Sequence, residues 1–247
     1  AGAHGSINPN GAQTVNAGDD LAFSVSPSTD YHIADVLVDG SSVGAVSAHT
    51  FSNVHANHTI AASFAIDTYT ITASAGAHGS INPSGAQTVN AGDDLAFSVS
   101  PSTDYHVADV LVDGSSAGAV SAYTFSNVHA NHTIAASFAI DQYTITASAG
   151  SNGSINPNGA QTVNAGDDLA FSVSASTDYH IADVLVDGSS VGAVSAHTFS
   201  NVHANHTIAA SFAIDTYTIT ASAGAHGSIN PNGAQTVNAG DDLAFSV

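Results

Sequence analysis

Residues 60–74 read Ile60-Ala-Ala-Ser-Phe-Ala-Ile-Asp-Thr-Tyr-Thr-Ile-Thr-Ala-Ser74. Two alternating segments meet in this stretch. Ile60, Ala62, Phe64 and Ile66 fall on one face of the first, and Tyr69, Ile71 and Ala73 on one face of the second. A period of two is the side-chain pitch of a β-strand, and β-branched and aromatic residues favour that backbone. Only Asp67-Thr68 stands between the segments. The stretch therefore predicts a strand closing one domain, a two-residue junction, and a strand opening the next.

Working outward, the same text returns. Gly-Ser-Ile-Asn occurs at Gly5, Gly79, Gly153 and Gly227, each 74 residues after the last, and Ala223–Val247 copies Ala1–Val25 letter for letter. The first and second copies differ only at Asn10/Ser84, Ile33/Val107, Val43/Ala117, His49/Tyr123 and Thr68/Gln142. The first and third differ at Ala3/Ser151, His4/Asn152 and Pro27/Ala175. Self-similarity at a fixed period is the mark of an array. With the boundary at the junction, the units are 1–67 (lacking its first strand), 68–141 and 142–215 (both complete) and 216–247 (partial). Partial units expose strand edges, so the polypeptide is expected to continue at both ends.

Within the unit 68–141, strands are expected at Tyr69–Ala75, Gly79–Asn82, Gln87–Asn90, Leu95–Ser100, Tyr105–Val112, Ala119–Ser126 and His132–Ile140. Turn signals separate them in every copy, as at Asn10-Gly11, Ala17-Gly18-Asp19, Asp39-Gly40 and Asn53-Val-His-Ala-Asn57. The expected fold is all-β: a tandem array of small antiparallel β-sandwich or β-grasp-like repeats, arranged as a rod or filament. Ile7, Leu21, Phe23, Val25, Ile33, Val36, Val38, Phe51, Ile60, Phe64 and Ile71 are its expected core.

Composition removes whole classes of function. The 247 residues include 20 Asp but no Glu, Lys, Arg, Cys, Met or Trp, for a formal charge of −20. A chain without cations cannot neutralise phosphates, so nucleic acid is excluded as a partner. Without Cys there is no disulfide, thiolate site or cysteine catalysis, and without Lys no Schiff base or isopeptide crosslink. No apolar run reaches the ~18 residues a membrane helix needs, so membrane insertion is not expected.

The repeat also resembles a known family. Tyr69-Thr-Ile-Thr-Ala-Ser-Ala-Gly-Ala-His-Gly-Ser-Ile-Asn-Pro-Ser-Gly85, Tyr105-His-Val-Ala-Asp-Val-Leu-Val-Asp-Gly114, Tyr123-Thr-Phe-Ser-Asn-Val128 and Asn131-His-Thr-Ile-Ala-Ala-Ser-Phe138 together are similar to the divergent internalin B-repeat family. The resemblance covers the whole unit. It implies a β-rich spacer or adhesion module, found in tandem on secreted and surface proteins of bacteria and archaea, with no catalytic residues to carry over. This chain departs from that pattern in lacking any basic residue and in carrying His55 where the family leads one to expect Thr.

Few residues invite a chemical reading. Gly40-Ser-Ser-Val-Gly44 and Gly188-Ser-Ser-Val-Gly192 match G-x-S-x-G. That motif works only as a strand–elbow–helix on a large α/β sheet, and here it lies between strands, so a hairpin loop is expected and no enzyme. His55 with His58, His129 with His132, and His203 with His206 flank a turn in successive copies. Neutral imidazoles bind zinc, copper or nickel, which makes these six the candidate metal ligands, although two His alone do not close a site. His49 becomes Tyr123 and His4 becomes Asn152, so neither is an obligatory ligand. His32, repeated as His106 and His180, is read as a rim residue.

Asp19, Asp20, Asp30, Asp35, Asp39 and Asp67 of the first unit have no Lys or Arg to pair with. Their possible partners are turn N–H groups, His and cations. Calcium suits carboxylates and turn carbonyls, but no D-x-D-x-D-G loop is present, so Ca or a transition metal is an option and no cofactor is required. Asn57-His-Thr59, its two later copies and Asn152-Gly-Ser154 are formal glycosylation sequons.

The sequence thus points to an extracellular, cell-surface structural array: a stalk, fibre or adhesin segment that associates with itself. A metal-binding module, or one binding cell-surface glycans through Tyr and Asn, is the alternative. Protonating all 14 His would move the formal charge from −20 to −6, so acid is expected to promote bundling. Light scattering that stays flat between pH 8 and 5 would oppose this.

Overall fold

A computed structural model describes residues 1–247. It contains strands, turns and loops and no helix. The chain divides into two compact bodies, Ala1–Ala139 and Ile140–Val247. Each holds one complete repeat and one partial repeat.

In the first body the partial repeat contains β1 (Gly5–Asn8), β2 (Leu21–Pro27), β3 (Tyr31–Val38), β4 (Ser41–Ser42), β5 (Ala48–Phe51) and β6 (Ile60–Ile66). The complete repeat follows with β7 (Thr68–Ala75), β8 (Gly79–Asn82), β9 (Gly85–Asn90), β10 (Leu95–Pro101), β11 (Tyr105–Val112), β12 (Ser115–Ser116), β13 (Ala122–Phe125) and β14 (His132–Ile140). It is a sandwich of a five-stranded sheet, β12-β11-β14-β7-β9, and a three-stranded sheet, β13-β10-β8. One pair runs parallel: β7 on β14, with Ile71 opposite His132 and Ala75 opposite Ala136. β7 pairs antiparallel with β9 on its other side. The strand that opens the repeat is thus inserted beside the strand that closes it.

That insertion explains the core. Ile71, Ala73, Val89, Val110, Ile134 and Ala136 of the larger sheet meet Ile81, Phe97, Val99 and Phe125 of the smaller one. No polar side chain is buried. The Gly of Gly-Ser-Ile-Asn is required by packing, because a Cβ at Gly79 would overlap the ring of Phe138. Asp and Asn occupy sharp turns for a backbone reason. Asp30, Asp39 and Asn53 have φ of 68°, 51° and 52°, a region that short polar side chains tolerate better than others.

The second body repeats this plan. Its complete repeat contains β15 (Gln142–Ala149), β16 (Gly153–Asn156), β17 (Gly159–Asn164), β18 (Leu169–Ala175), β19 (Tyr179–Val186), β20 (Ser189–Gly192), β21 (Ala196–Phe199) and β22 (His206–Ile214). The sheets are β17-β15-β22-β19-β20 and β16-β18-β21. Its partial repeat keeps β23 (Thr216–Ala221) and β24 (Gly233–Asn238), paired as a two-stranded sheet.

The all-β reading and the 74-residue repeat hold, with local differences. Ser115–Ser116 pairs with Leu111 and Val112, although two serines after Asp-Gly read as loop. Ala119–Ser121 bends outside the strand, with the Val120 N–H on the Gly118 carbonyl at 2.9 Å, so strand begins only at Ala122. Val128, expected in a turn, is 2 % exposed and belongs to the core. Of the eleven expected core residues, Ile7, Phe23, Val25, Val36 and Ile71 are buried. Leu21, Ile33, Phe51, Ile60 and Phe64 pack half-buried against them, and Val38 is half-buried.

Candidate functional site

The junction between repeats is the most elaborated polar feature. β6 ends at Ile66 and β7 begins at Thr68, so one residue, Asp67, joins the first repeat to the second; the sequence suggested two. Asp67 is held on all sides. Its N–H donates to the Asp30 carbonyl at 2.8 Å, and its own carbonyl accepts the N–H of Ala91 at 2.8 Å. Its Oδ1 lies 2.8 Å from Nδ1 of His32. In the second body Asp215 makes the same set with Asp178, Ala239 and His180.

His129 adds a contact between repeats. Its Nε2 stands 3.0 Å from Oδ1 of Asp30, and its Nδ1 stands 2.8 Å from the Asn127 carbonyl. A carbonyl oxygen and an ionised carboxylate only accept. Both contacts are hydrogen bonds only when both ring nitrogens carry protons, that is, for the imidazolium. The pair is partly exposed, with side chains 41 % and 31 % accessible, so it contributes no more than ~1 kcal/mol. The backbone bonds of Asp67 and the single-residue link set the junction, and His129 trims it.

His58, His132 and His206 serve another purpose. Each donates through Nδ1 to a turn carboxylate at 2.7 Å: Asp39, Asp113 and Asp187 respectively. Each ring also packs on a phenylalanine, at 4.8 Å between centroids for His58 on Phe51 and 4.9 Å for His206 on Phe199. Asp39 is held below the usual carboxylate value by His58, then by the Thr59 N–H. Asp113 and Asp187 are lowered first by the N–H of Thr133 and Thr207, then by His132 and His206.

Of the six candidate metal ligands, then, His58, His132 and His206 are bound to Asp and Phe, and His129 faces the preceding repeat. His203 has its Nδ1 2.8 Å from the Asn201 carbonyl, and His55 is exposed. No three His or Asp side chains converge within reach of one cation. The Asp question has a direct answer in the first repeat. Asp19 accepts from Asn16 Nδ2, Asp20 from the Asn53 N–H and Asp35 from Ser42 Oγ; Asp30, Asp39 and Asp67 take His.

The variable His positions also make sense. His4 and His78 have φ of 70° and 68° and stack on Tyr31 and Tyr105 at 4.1 Å; Asn152 keeps the same φ of 70° without a ring. His49 and Tyr123 each present an edge to a phenylalanine, Phe51 and Phe125. Ser42 in the G-x-S-x-G match donates to Asp35, and the motif runs from a hairpin turn into the short return strand. Asn131 of a formal sequon accepts the N–H of Thr70 at 2.8 Å through Oδ1, a role that its place in a sequon does not reveal.

Residues 69–142 and 143–216 match the divergent InlB B-repeat domain. The chain belongs to the divergent InlB B-repeat family. InlB B-repeats form a surface-associated repeat family and not a known enzyme family. No curated protein matches the chain. Among solved structures, the crystal structure of the I9–I11 tandem from titin aligns over 79 % of this chain and 93 % of that one, at 11 % identity and a TM-score of 0.12.

Proposed function

We propose that this InlB B-repeat array is an extracellular structural segment, a stalk, fibre or adhesin portion, whose repeats associate with one another into filaments. The single-residue junction supports the reading. A spacer transmits direction only if one repeat cannot turn freely on the next, and Asp67 is tied to both neighbours by backbone hydrogen bonds. Its task is mechanical, and the turn carboxylates keep the surface acidic and soluble.

The absence of native cysteine makes the test simple. Spin labels on Ser26→Cys and Ser100→Cys, equivalent exposed positions one repeat apart, should give a narrow distance distribution. Inserting Gly-Ser-Gly between Asp67 and Thr68 should broaden it. A distribution already broad in the uninterrupted chain would defeat the spacer reading. Metal uptake by the His pairs would need ligands from outside the repeat. Elemental analysis showing a stoichiometric metal per repeat, lost with chelator, would establish it.

A further inference from the structure

The complete repeat 142–215 contains two Asn-Gly pairs, Asn152-Gly153 and Asn158-Gly159. Both asparagines are exposed, but their glycines stand in different settings. Gly153 opens β16 opposite Ala175, and a Cβ on it would overlap the ring of Phe212. The Asn152 carbonyl accepts the N–H of Ser176 at 2.9 Å. The peptide group between Asn152 and Gly153 is therefore fixed from both sides.

Gly159 has φ of 79°, and nothing lies within 4 Å of the position a Cβ would take. It is the first residue of β17 and the last rung of that strand's ladder with β15, opposite Ala147. Its N–H donates to Oδ1 of Asn158 at 2.9 Å. The main-chain nitrogen is thus held against the side-chain amide of the residue before it. The Asn158 carbonyl accepts from a side chain, Gln161 Nε2, at 2.9 Å.

We propose that Asn158 is a site of spontaneous covalent modification, in which its side-chain amide is exchanged for a carboxylate through a cyclic imide with Gly159, while Asn152 in the same repeat is protected. The Gly159 nitrogen bonds to Cγ of Asn158, the Cγ–Nδ2 bond breaks, and Nδ2 leaves as ammonia with the proton that the Gly159 nitrogen gives up. Water then adds to one of the two imide carbonyls and opens the ring, leaving aspartate or isoaspartate at 158. No oxidant or reductant takes part. Proximity favours the step, because the nucleophile and the amide belong to one chain and are already in contact. A glycine also brings no Cβ to obstruct the closing ring. At Asn152 the same closure must turn the peptide group, break the Ser176 bond and move Gly153 off Phe212, so it waits on local opening of β16. Each event at Asn158 adds a carboxylate to a chain without Lys or Arg, and isoaspartate inserts an extra main-chain carbon at the head of β17. Asn10-Gly11 and Asn232-Gly233 carry the same pair in the partial repeats, whereas the other complete repeat has Ser84-Gly85 there.

Hydroxylamine attacks a cyclic imide and frees the glycine nitrogen as a new N-terminus, so it reads the intermediate directly. On the folded full-length chain at mildly alkaline pH we expect cleavage at 158–159 to exceed cleavage at 152–153 by roughly tenfold or more. The difference should shrink in urea. Without hydroxylamine, isoaspartate detected by an isoaspartyl methyltransferase should accumulate at 158 on storage. It should not form there in Asn158→Ser, which copies Ser84 of the preceding repeat. Equal cleavage of the two bonds in the folded chain would overturn the proposal, as would a folded chain that resists at 158–159 and is cut there once unfolded. A preference for 158–159 that persists undiminished in urea would also overturn it, by assigning the protection of Asn152 to flanking sequence instead of to the fold.

Discussion

Replacing Ile71, Ile145 and Ile219 by alanine, one at a time, makes one chemical change in one local sequence, Tyr-Thr-Ile-Thr-Ala. The surroundings differ. Ile71 and Ile145 are 0 % exposed within two-sheet cores, and Ile219 is 40 % exposed on a two-stranded sheet. Ile→Ala removes about three methylene equivalents, at ~0.8 kcal/mol each when fully buried. The cavity left in a core that relaxes only partly brings the loss to about 2–5 kcal/mol. For a domain the size of one repeat this lowers the melting temperature by roughly 10 °C or more. At Ile219 little packing is lost, and the cost should stay within about 0.5 kcal/mol. Proteins open in local units of differing stability, so residue-resolved hydrogen exchange on the dispersed chain is the right assay. Protection should fall through β7 and β14 for Ile71→Ala, through β15 and β22 for Ile145→Ala, and hardly anywhere for Ile219→Ala. Equal losses at all three positions would refute the reasoning, because local sequence would then outweigh strand insertion.

Gly79→Ala forces a methyl group against the Phe138 ring and should destabilise the second repeat by about 1–3 kcal/mol; Gly79→Ala combined with Phe138→Leu should recover part of the loss in urea unfolding. His129→Ala should leave the spin-label distance distribution across the junction narrow, since the exposed ion pair is worth no more than ~1 kcal/mol; broadening as large as that from the Gly-Ser-Gly insertion would show that His129 sets the junction. Asp39, Asp113 and Asp187 are depressed below their ordinary value of 3.8. Their stabilising contribution is therefore full above that value and is lost as pH falls below it through the folded-state pKa. Unfolding midpoints of Asp113→Asn should decline less steeply than wild type below about pH 4, and identical slopes would remove the turn carboxylates as a source of acid sensitivity.

The strands were legible because their signal is local. Alternation in Leu95–Pro101 or His132–Ile140 survives any choice of partner, and Asp-Gly and Asn-Gly mark turns by backbone preference alone. The candidate site was only partly legible. His55, copied as His129, stood out as a departure, but the partner of His129, Asp30, lies 99 residues earlier, in another repeat. Val128 reads as a turn residue among Asn, His and Ala; its burial follows from the closing of the two sheets over that turn. Asn131 spells a sequon, and only the parallel course of β7 shows its amide serving the Thr70 N–H.

By itself the sequence determined the period of 74, the all-β character, the family, and the absence of Lys, Arg and Cys. Those are properties of composition and of short-range periodicity, which every residue carries with it. The tertiary structure decided which strands become neighbours, and so that Ile71 and Ile145 are fully enclosed. The physical reason is that burial belongs to a pair of surfaces, and the second surface for Ile71 is the three-stranded sheet that brings Ile81, Phe97, Val99 and Phe125 over it.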